Sequence, residues 1–484
     1  MKKYWMVAML FFWVLPLGAT EITILHFNDF HGHVAVNPTK SGPMGGAARI
    51  AGYLDAVRKE NREKGRDTFV LFGGDIFTGT PISSVFNGEV DMETIDRLQV
   101  TVAVVGNHEF DFGLPRLLAL HRKAGFPLIS SNIFNRATGQ LEFGGPQTLK
   151  TSDGTRIAVI GLTTPFTPVQ TYPEKVKLLE FADPVATTRQ TLKTILPQSD
   201  VQIVLSHMED KLDRQILKQI PEVDLLIGGH DHHSPQDPYC ESIKKRLHCE
   251  TPPYANYVGR IDLKIEAGKV TVAKAERVAM NDAIVPQKQM QSWVARYEKI
   301  VDQRFSKVIA RAATDLRHDR KGESPLGSLV TDALRDFTKA QVALLNSGSI
   351  RGSLMAGPIT LKDMETILPF RDSLWVIELT GKELEEVFRH SYKRGEGAVM
   401  QVSGLEVRGS KTKPRLYYQG KKILLSDRFE VCSNSFLSAG GDGYKVLQDK
   451  KVIRYYDAIL KDAAIAYFQK IKTVSTPKPG RLSP

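Results

Sequence analysis

A chain of 484 residues is too long for one ordinary core and points to two large domains. Hydrophobic residues at 42% and charged residues at 25% are the proportions of a soluble globular protein. The formal charge of +11 fits either scattered surface lysines or the attraction of an anionic substrate, while basic clusters no longer than Lys244-Lys245-Arg246 argue against nucleic acid as a partner.

In chain order, Lys2 and Lys3 precede an apolar run from Met6 to Leu17, which is too short to span a bilayer comfortably, and Gly18 and Ala19 follow. The pattern predicts a signal peptide over 1–19, with an uncleaved anchor as the alternative. No cysteine follows the run, and the end of the chain through Pro477 and Gly480 is polar, so neither lipid modification nor a hydrophobic tail is expected. The expected mature protein is exported, periplasmic or extracellular, with no stable membrane anchor.

From Glu21 to about Arg277, short apolar runs rich in β-branched residues alternate with helical patterns. The runs are Ile22 to Leu25, Phe69 to Phe72, Val102 to Val105, Ile157 to Gly161, Ile203 to Leu205 and Leu225 to Ile227. They predict a layered α/β sheet buried on both faces. Adjacent strands over Tyr257 to Ile265 and Lys269 to Val278, turning at Ala267-Gly268, are expected next. Trp293, Tyr297, Ile300 and Val301 then stand at helical spacing. The expected organisation is an α/β domain over 20–285, a connecting helix over 286–305 and a second α/β domain over 306–484. Cys240 and Cys249, separated by eight residues of polar sequence, suit a disulfide-closed loop in an oxidising compartment, with metal ligation as the alternative; Cys432 reads as a buried thiol.

Nearly every strong apolar run in the first half ends in a metal-capable side chain. The first runs into Asp29-Phe30-His31, the second into Gly73-Gly74-Asp75 and the third into Gly106-Asn107-His108-Glu109. Ser206-His207 and Gly229-His230-Asp231-His232 end two more. Open α/β sheets place their sites at such strand ends. Carboxylate, imidazole and amide oxygen together suit Zn, Mn, Co or Fe better than Ca, and the absence of thiolates argues against a purely structural zinc site. His26 reads as a packed core histidine. His33, His121, His233, His248, His318 and His390 read as surface or structural, and Glu109 as either a support to the ligands or a solvated carboxylate at a helix start.

Asp29-x-His31, Gly74-Asp75, Gly106-Asn107-His108-Glu109, Ser206-His207 and Gly229-His230-x-His232 resemble the calcineurin-like metallophosphoesterases, and in order and spacing the 5′-nucleotidase family. The resemblance implies that 20–285 is the catalytic domain, a metallophosphoesterase sandwich with two metal ions. Asp29, His31, Asp75 and His232 would hold one metal, and Asp75, Asn107, His207 and His230 the other. Two cations about 3.5–4 Å apart can present a hydroxide to phosphorus and neutralise phosphoryl charge. The resemblance further implies that His108 stabilises the transition state or protonates the leaving group and that Asp111 orients it; otherwise Asp111 caps a turn before the helix at Leu114-Pro115.

The second half contains Asn346-Ser347-Gly348-Ser349-Ile350-Arg351, Leu368-Pro369-Phe370 and Asn434 to Tyr444. Together they look like the nucleotide-binding domain of the same family. In that likeness Phe370 and Phe436 stack on the base, Arg320 and Arg351 contact phosphate, Asn346 faces base or phosphate, and Asp442 accepts from ribose hydroxyls. Arg317 is the alternative to Arg320, and a core role the alternative for either phenylalanine. Ser347 and Ser349 replace glycines common in the family, a strain if that loop needs positive φ. The implied function is a dimetal 5′-nucleotidase. Nucleotide-sugar or 2′,3′-cyclic-nucleotide diesters are alternative substrates, the Phe370 and Phe436 slot argues against sulfur esters on a carrier protein, and a catalytically silent nucleotide-binding or surface protein is the alternative of another class.

Overall fold

The computed structural model describes residues 19–39, 42–266, 268–394 and 399–483. The expected signal peptide, apart from Ala19, lies outside the described residues, as does Ala267 of the expected hairpin turn. No helix among the described residues is long and apolar enough to cross a membrane.

The N-terminal half is built on two six-stranded sheets. Strands β1 (Thr20–Phe27), β2 (Asp67–Phe72), β3 (Val102–Val104) and β4 (Leu128–Ile129) run parallel in one. The other contains β5 (Gln147–Lys150), β6 (Arg156–Thr163), β7 (Val201–His207), β8 (Leu225–Ile227), β9 (Cys240–Ile243) and β10 (Arg246–Cys249). The antiparallel pair β11 (Tyr257–Glu266) and β12 (Lys269–Ala279) returns to the first sheet, whose order is β12-β11-β1-β2-β3-β4; the second runs β9-β10-β8-β7-β6-β5.

Period-2 alternation decides how these sheets stack. Ile22 and Ile24 of β1 join Val102, Val104, Val159 and Ile203 in one core shared by both sheets. Leu25 and Phe27 point the other way, into a second core with helices α1 (Ala47–Glu63) and α2 (Glu89–Arg97). On the far side, Ile160, Val204 and Leu226 pack against helices α3 (Pro184–Ile195) and α4 (Asp210–Gln219). The result is a helix–sheet–sheet–helix sandwich, with the central strands covered on both faces and β12 largely exposed at the edge. Helix α5 (Lys288–Phe305) buries Trp293, Val294 and Val301 in the core of the first sheet's outer face.

The C-terminal half is a three-layer unit. Its five-stranded sheet is formed by β13 (Val342–Asn346), β14 (Ser373–Thr380), β15 (Met400–Ser403), β16 (Arg428–Asn434) and β17 (Val452–Ile459), in the order β15-β13-β16-β14-β17. Ala343 and Leu345 face helices α6 (Pro325–Thr338) and α8 (Leu460–Ile471), while Val342 and Leu344 face helix α7 (Gly381–Arg394). Cys240 and Cys249 stand opposite each other on β9 and β10 and are disulfide-bonded; Cys432 is a buried free thiol.

Candidate active site

The carboxyl ends of β1, β2, β3, β7 and β8 meet where the two sheets abut, and the polar residues that follow them converge. Asp29, His31, Asp75 and His232 each offer one donor atom, all within 4.8 Å of one another, and so do Asp75, His207 and His230. Asp75 belongs to both groups. Its Oδ2 lies 3.5 Å from His31 Nε2, and its Oδ1 lies 3.2 Å from His207 Nε2. Asn107 Oδ1 is 3.3 Å from His207 Nε2, on the side of the second group.

Local backbone makes this convergence possible. Asp29, His31, Asp75, His230 and His232 all have positive φ, between 47° and 88°, a conformation uncommon for side chains larger than glycine. The glycines between them are sites of close approach. A Cβ on Gly106 would stand 2.3 Å from Asp75 Oδ1, and one on Gly74 2.5 Å from His207 Nδ1. Glu109 is fully buried and accepts from the backbone N–H groups of Asp75, Ile76 and Gly106, so it ties the second and third loops together and is not a solvated carboxylate. Burial, reinforced by Asp75, pushes its carboxyl up to about 7.

The imidazole tautomers follow from their second nitrogens. His31 Nδ1 lies 2.9 Å from the Thr78 carbonyl and His207 Nδ1 2.7 Å from the Gly73 carbonyl, so each carries a proton there and turns Nε2 inward. His232 Nε2 stands 3.0 Å from His31 Nε2 and 3.2 Å from Asp29 Oδ1, an oxygen with no hydrogen-bond partner. Burial would depress His207, yet Asp75 and Asp29 lift it to about 10. Burial likewise opposes ionisation of Asp75, but His207, His108 and His31 hold it well below the usual carboxylate range. Lone pairs aimed at lone pairs and carboxylates fit a cation, which competes with the proton on His207.

His108 donates from Nδ1 to Asp111 Oδ2 at 2.7 Å. Asp111 does not cap the helix at Leu114, whose N-cap is Gly113. Burial pulls His108 down, but Asp111 and Asp75 outweigh it and its pKa rises. The ring stacks on Phe370 with centroids 6.0 Å apart, which brings the C-terminal half onto the N-terminal one.

Between the halves lies a cavity of about 220 Å³. Asn107, His108, Asp111 and His230 line it from one side, and Arg320, Asn346, Arg351, Phe370, Phe436 and Asp442 from the other. Asn346 donates from Nδ2 to Asp442 Oδ2 at 2.8 Å and accepts from Ser349 Oγ at 2.6 Å. Neither Ser347 nor Ser349 has positive φ, so serine carries no backbone strain there. Arg317 is 73% exposed and beside Asp315, whereas Arg320 lines the cavity, where burial and the nearby Arg351 lower its pKa to about 10. The Arg351 guanidinium lies 5.7 Å from the centroid of Phe370.

Residues 22–234 match the model of the calcineurin-like phosphoesterases, and residues 304–449 that of the 5′-nucleotidase C-terminal domain. The chain belongs to the 5′-nucleotidase family. It is 27% identical to the 5′-nucleotidase of Vibrio parahaemolyticus over 481 residues, spanning 88% of this chain and 84% of that one. Protein UshA of Escherichia coli is 27% identical over 510 residues, with 93% and 91% covered. The crystal structure of the 5′-nucleotidase precursor from Thermus thermophilus superposes with a TM-score of 0.85 at 26% identity, covering 96% of this chain and 99% of that one.

Membership of the 5′-nucleotidase family makes the chain a hydrolase of the metallophosphoesterase class, a fold that implies divalent metal. Sequence reasoning missed several residues that stand beside the ligand groups and the cavity. Glu209 Oε1 is 3.3 Å from His230 Nε2; its place two residues beyond His207 carried the same signal that singled out His31 after Asp29. Gln170, Lys175, Asp372 and Arg394 also line the cavity. Nothing in their local sequence marks them, because loops far apart in the chain bring them there.

Proposed function

We propose that the chain is an exported 5′-nucleotidase that uses two divalent ions, Zn, Mn or Co, to release phosphate from nucleoside monophosphates. Supporting this most directly is Asp75, shared by two ligand groups beside a cavity that also carries two arginines and two phenylalanines. One ion would be held by Asp29, His31, Asp75 and His232, the other by Asp75, Asn107, His207 and His230. The unpartnered Asp29 Oδ1 and the facing Nε2 atoms of His31 and His232 fit such ions. When bound, the ions supply charge neutralisation at phosphorus and activation of water near neutral pH.

The chain's own side chains do the rest. Arg320 and Arg351 pair with phosphate oxygens through planar guanidinium forks. Phe370 and Phe436 offer apolar faces to the base, and Asp442, held by Asn346, accepts from ribose hydroxyls. His108, its Nδ1–H held by Asp111, presents Nε2 and delivers a proton to the departing ester oxygen. Domains over 20–285 and 306–484, joined by the helix over 286–305, divide the work into chemistry and recognition.

The test is phosphate release from AMP by the mature chain as isolated, after EDTA, and after return of Mn, Co or Zn. Activity lost to EDTA and restored by metal is the expected outcome. Turnover of bis-p-nitrophenyl phosphate or a nucleotide sugar, but not AMP, would replace the monoester substrate with a diester. Metal bound without any turnover would leave a nucleotide-binding protein.

A further inference from the structure

The loop after β8 has two sides. His230 and His232 turn toward the shared Asp75 cluster. Asp231 and His233 turn instead to helix α4: Asp231 Oδ2 accepts the Asp210 backbone N–H at 2.6 Å, and His233 Nε2 lies 3.3 Å from Asp210 Oδ2. Asp210, His233 and Glu250 form a further group of donor atoms within 4.8 Å of one another. Asp213 and His248 border it. His248 Nε2 is 3.2 Å from Asp213 Oδ2, and His248 Nδ1 is 3.7 Å from Asp210 Oδ1.

A set of acids and imidazoles is not in itself a binding site; Glu250 is what singles this one out. It is only 2% exposed, both of its carboxylate oxygens lack a hydrogen-bond partner, and its Oε2 stands 3.7 Å from His233 Nε2. Asp210 Oδ1 and His233 Nδ1 are likewise without hydrogen-bond partners, while Asp213 Oδ2 and His248 Nε2 face only each other. An unpaired buried carboxylate is costly; Arg214 reaches Asp210 Oδ2 at 3.5 Å, which leaves Glu250 still without a full positive charge beside it. The wall is shaped for close approach: a Cβ on Gly228 would fall 2.8 Å from His248 Nε2, 3.0 Å from Asp213 Oδ2 and 3.2 Å from Glu250 Oε2. Asp210, His233, His248 and Glu250 line a separate cavity that Cys240 also lines, and the Cys240–Cys249 bond fixes the residue before Glu250.

We propose that Asp210, His233 and Glu250, bordered by Asp213 and His248, hold a third divalent transition-metal ion behind the loop that carries His230 and His232. Mixed imidazole and carboxylate donors select Zn, Mn or Co over Ca. The ion would neutralise Glu250 and anchor His233, and so brace a loop whose His230 and His232 both have positive φ. The site does not depend on the assignment of the other two ions.

Zinc counting on the full mature chain tests it, by elemental mass spectrometry after loading with zinc and dialysis into metal-free buffer. One ion fewer per chain is expected in Glu250→Gln than in the parent, whatever number is held around Asp75. Anomalous diffraction from zinc-loaded crystals of the unaltered chain guards against a misfolded variant and locates each ion separately. A peak among Asp210, His233 and Glu250 is expected. Peaks around Asp75 with none at Glu250, or equal zinc in parent and variant, would overturn the proposal and leave a protonated Glu250 within a histidine–carboxylate network.

Discussion

The two walls of the cavity are built by opposite means. On the N-terminal side, five of the seven predicted metal ligands sit in positive φ on short loops, and Asp29, His31, Asp75 and His207 are almost wholly buried. On the C-terminal side, only Asp442 of the six predicted substrate residues has positive φ, and long side chains such as Arg320, Arg351 and Phe370 reach in from loops. Holding a cation demands donor atoms fixed to within a fraction of an ångström, so the backbone is bent into place at a cost of about 1 kcal/mol or more per strained residue. Gripping a flat base and a phosphate tolerates adjustment, and flexible side chains suffice.

The sharpest break of this comparison is at its seam. His108 belongs to the rigid wall yet stacks on Phe370 of the other. His108→Ala should lower kcat for AMP about 10²–10⁴-fold, the usual worth of a positioned proton donor, with metal content unchanged by mass spectrometry. Loss of metal in this variant would assign His108 to the rigid wall alone. A smaller effect is expected in the adjustable wall. Phe436→Ala should raise KM for AMP about 5–100-fold, the loss of one stacked base, while kcat/KM for p-nitrophenyl phosphate stays within about twofold. An equal loss on both substrates would mean that Phe436 supports the fold and not the base.

The smallest effect concerns the supports of the rigid wall. Asp91 on α2 is fully buried; one oxygen accepts from Ser83 Oγ, which in turn accepts the Thr78 N–H, and the other oxygen has no partner. Burial pushes its carboxyl up to about 7. The folded state thus keeps a proton that the unfolded chain releases near 3.8, and stability falls as pH rises from about 4 to 7. Asp91→Asn should therefore raise Tm at pH 8 by a few degrees and leave it nearly unchanged at pH 4. An equal shift at both pH values would rule out the titration of Asp91 as the cause.

The same contrast governs what could be read from sequence. Strand ends are local: Ile22 to Leu25 followed by Asp29 and His31 announces both the strand and what it carries. That the strands form a sandwich was carried by the family resemblance and not by the alternation, because Ile24 facing a second sheet and Ile24 facing a helix leave the same pattern. Glu109 was ambiguous for a related reason. Its three backbone donors come from two loops, and no local pattern records a bond to a backbone N–H. His233 and His248, passed over as surface or structural histidines, acquire their neighbours from helix α4 and from the segment after β10.

Strand β1, which leads into Asp29 and His31, lies between β2 and β11, and its antiparallel partner begins only at Tyr257. The segment that matches the phosphoesterase family ends at residue 234, before that partner starts. A fragment cut there would keep every proposed ligand of the two ions and yet leave β1 as an open edge, free to pair with another chain. During synthesis, the first strand must wait for more than two hundred residues before its second neighbour arrives. Such distant closure slows folding and favours a chain kept unfolded until it is complete.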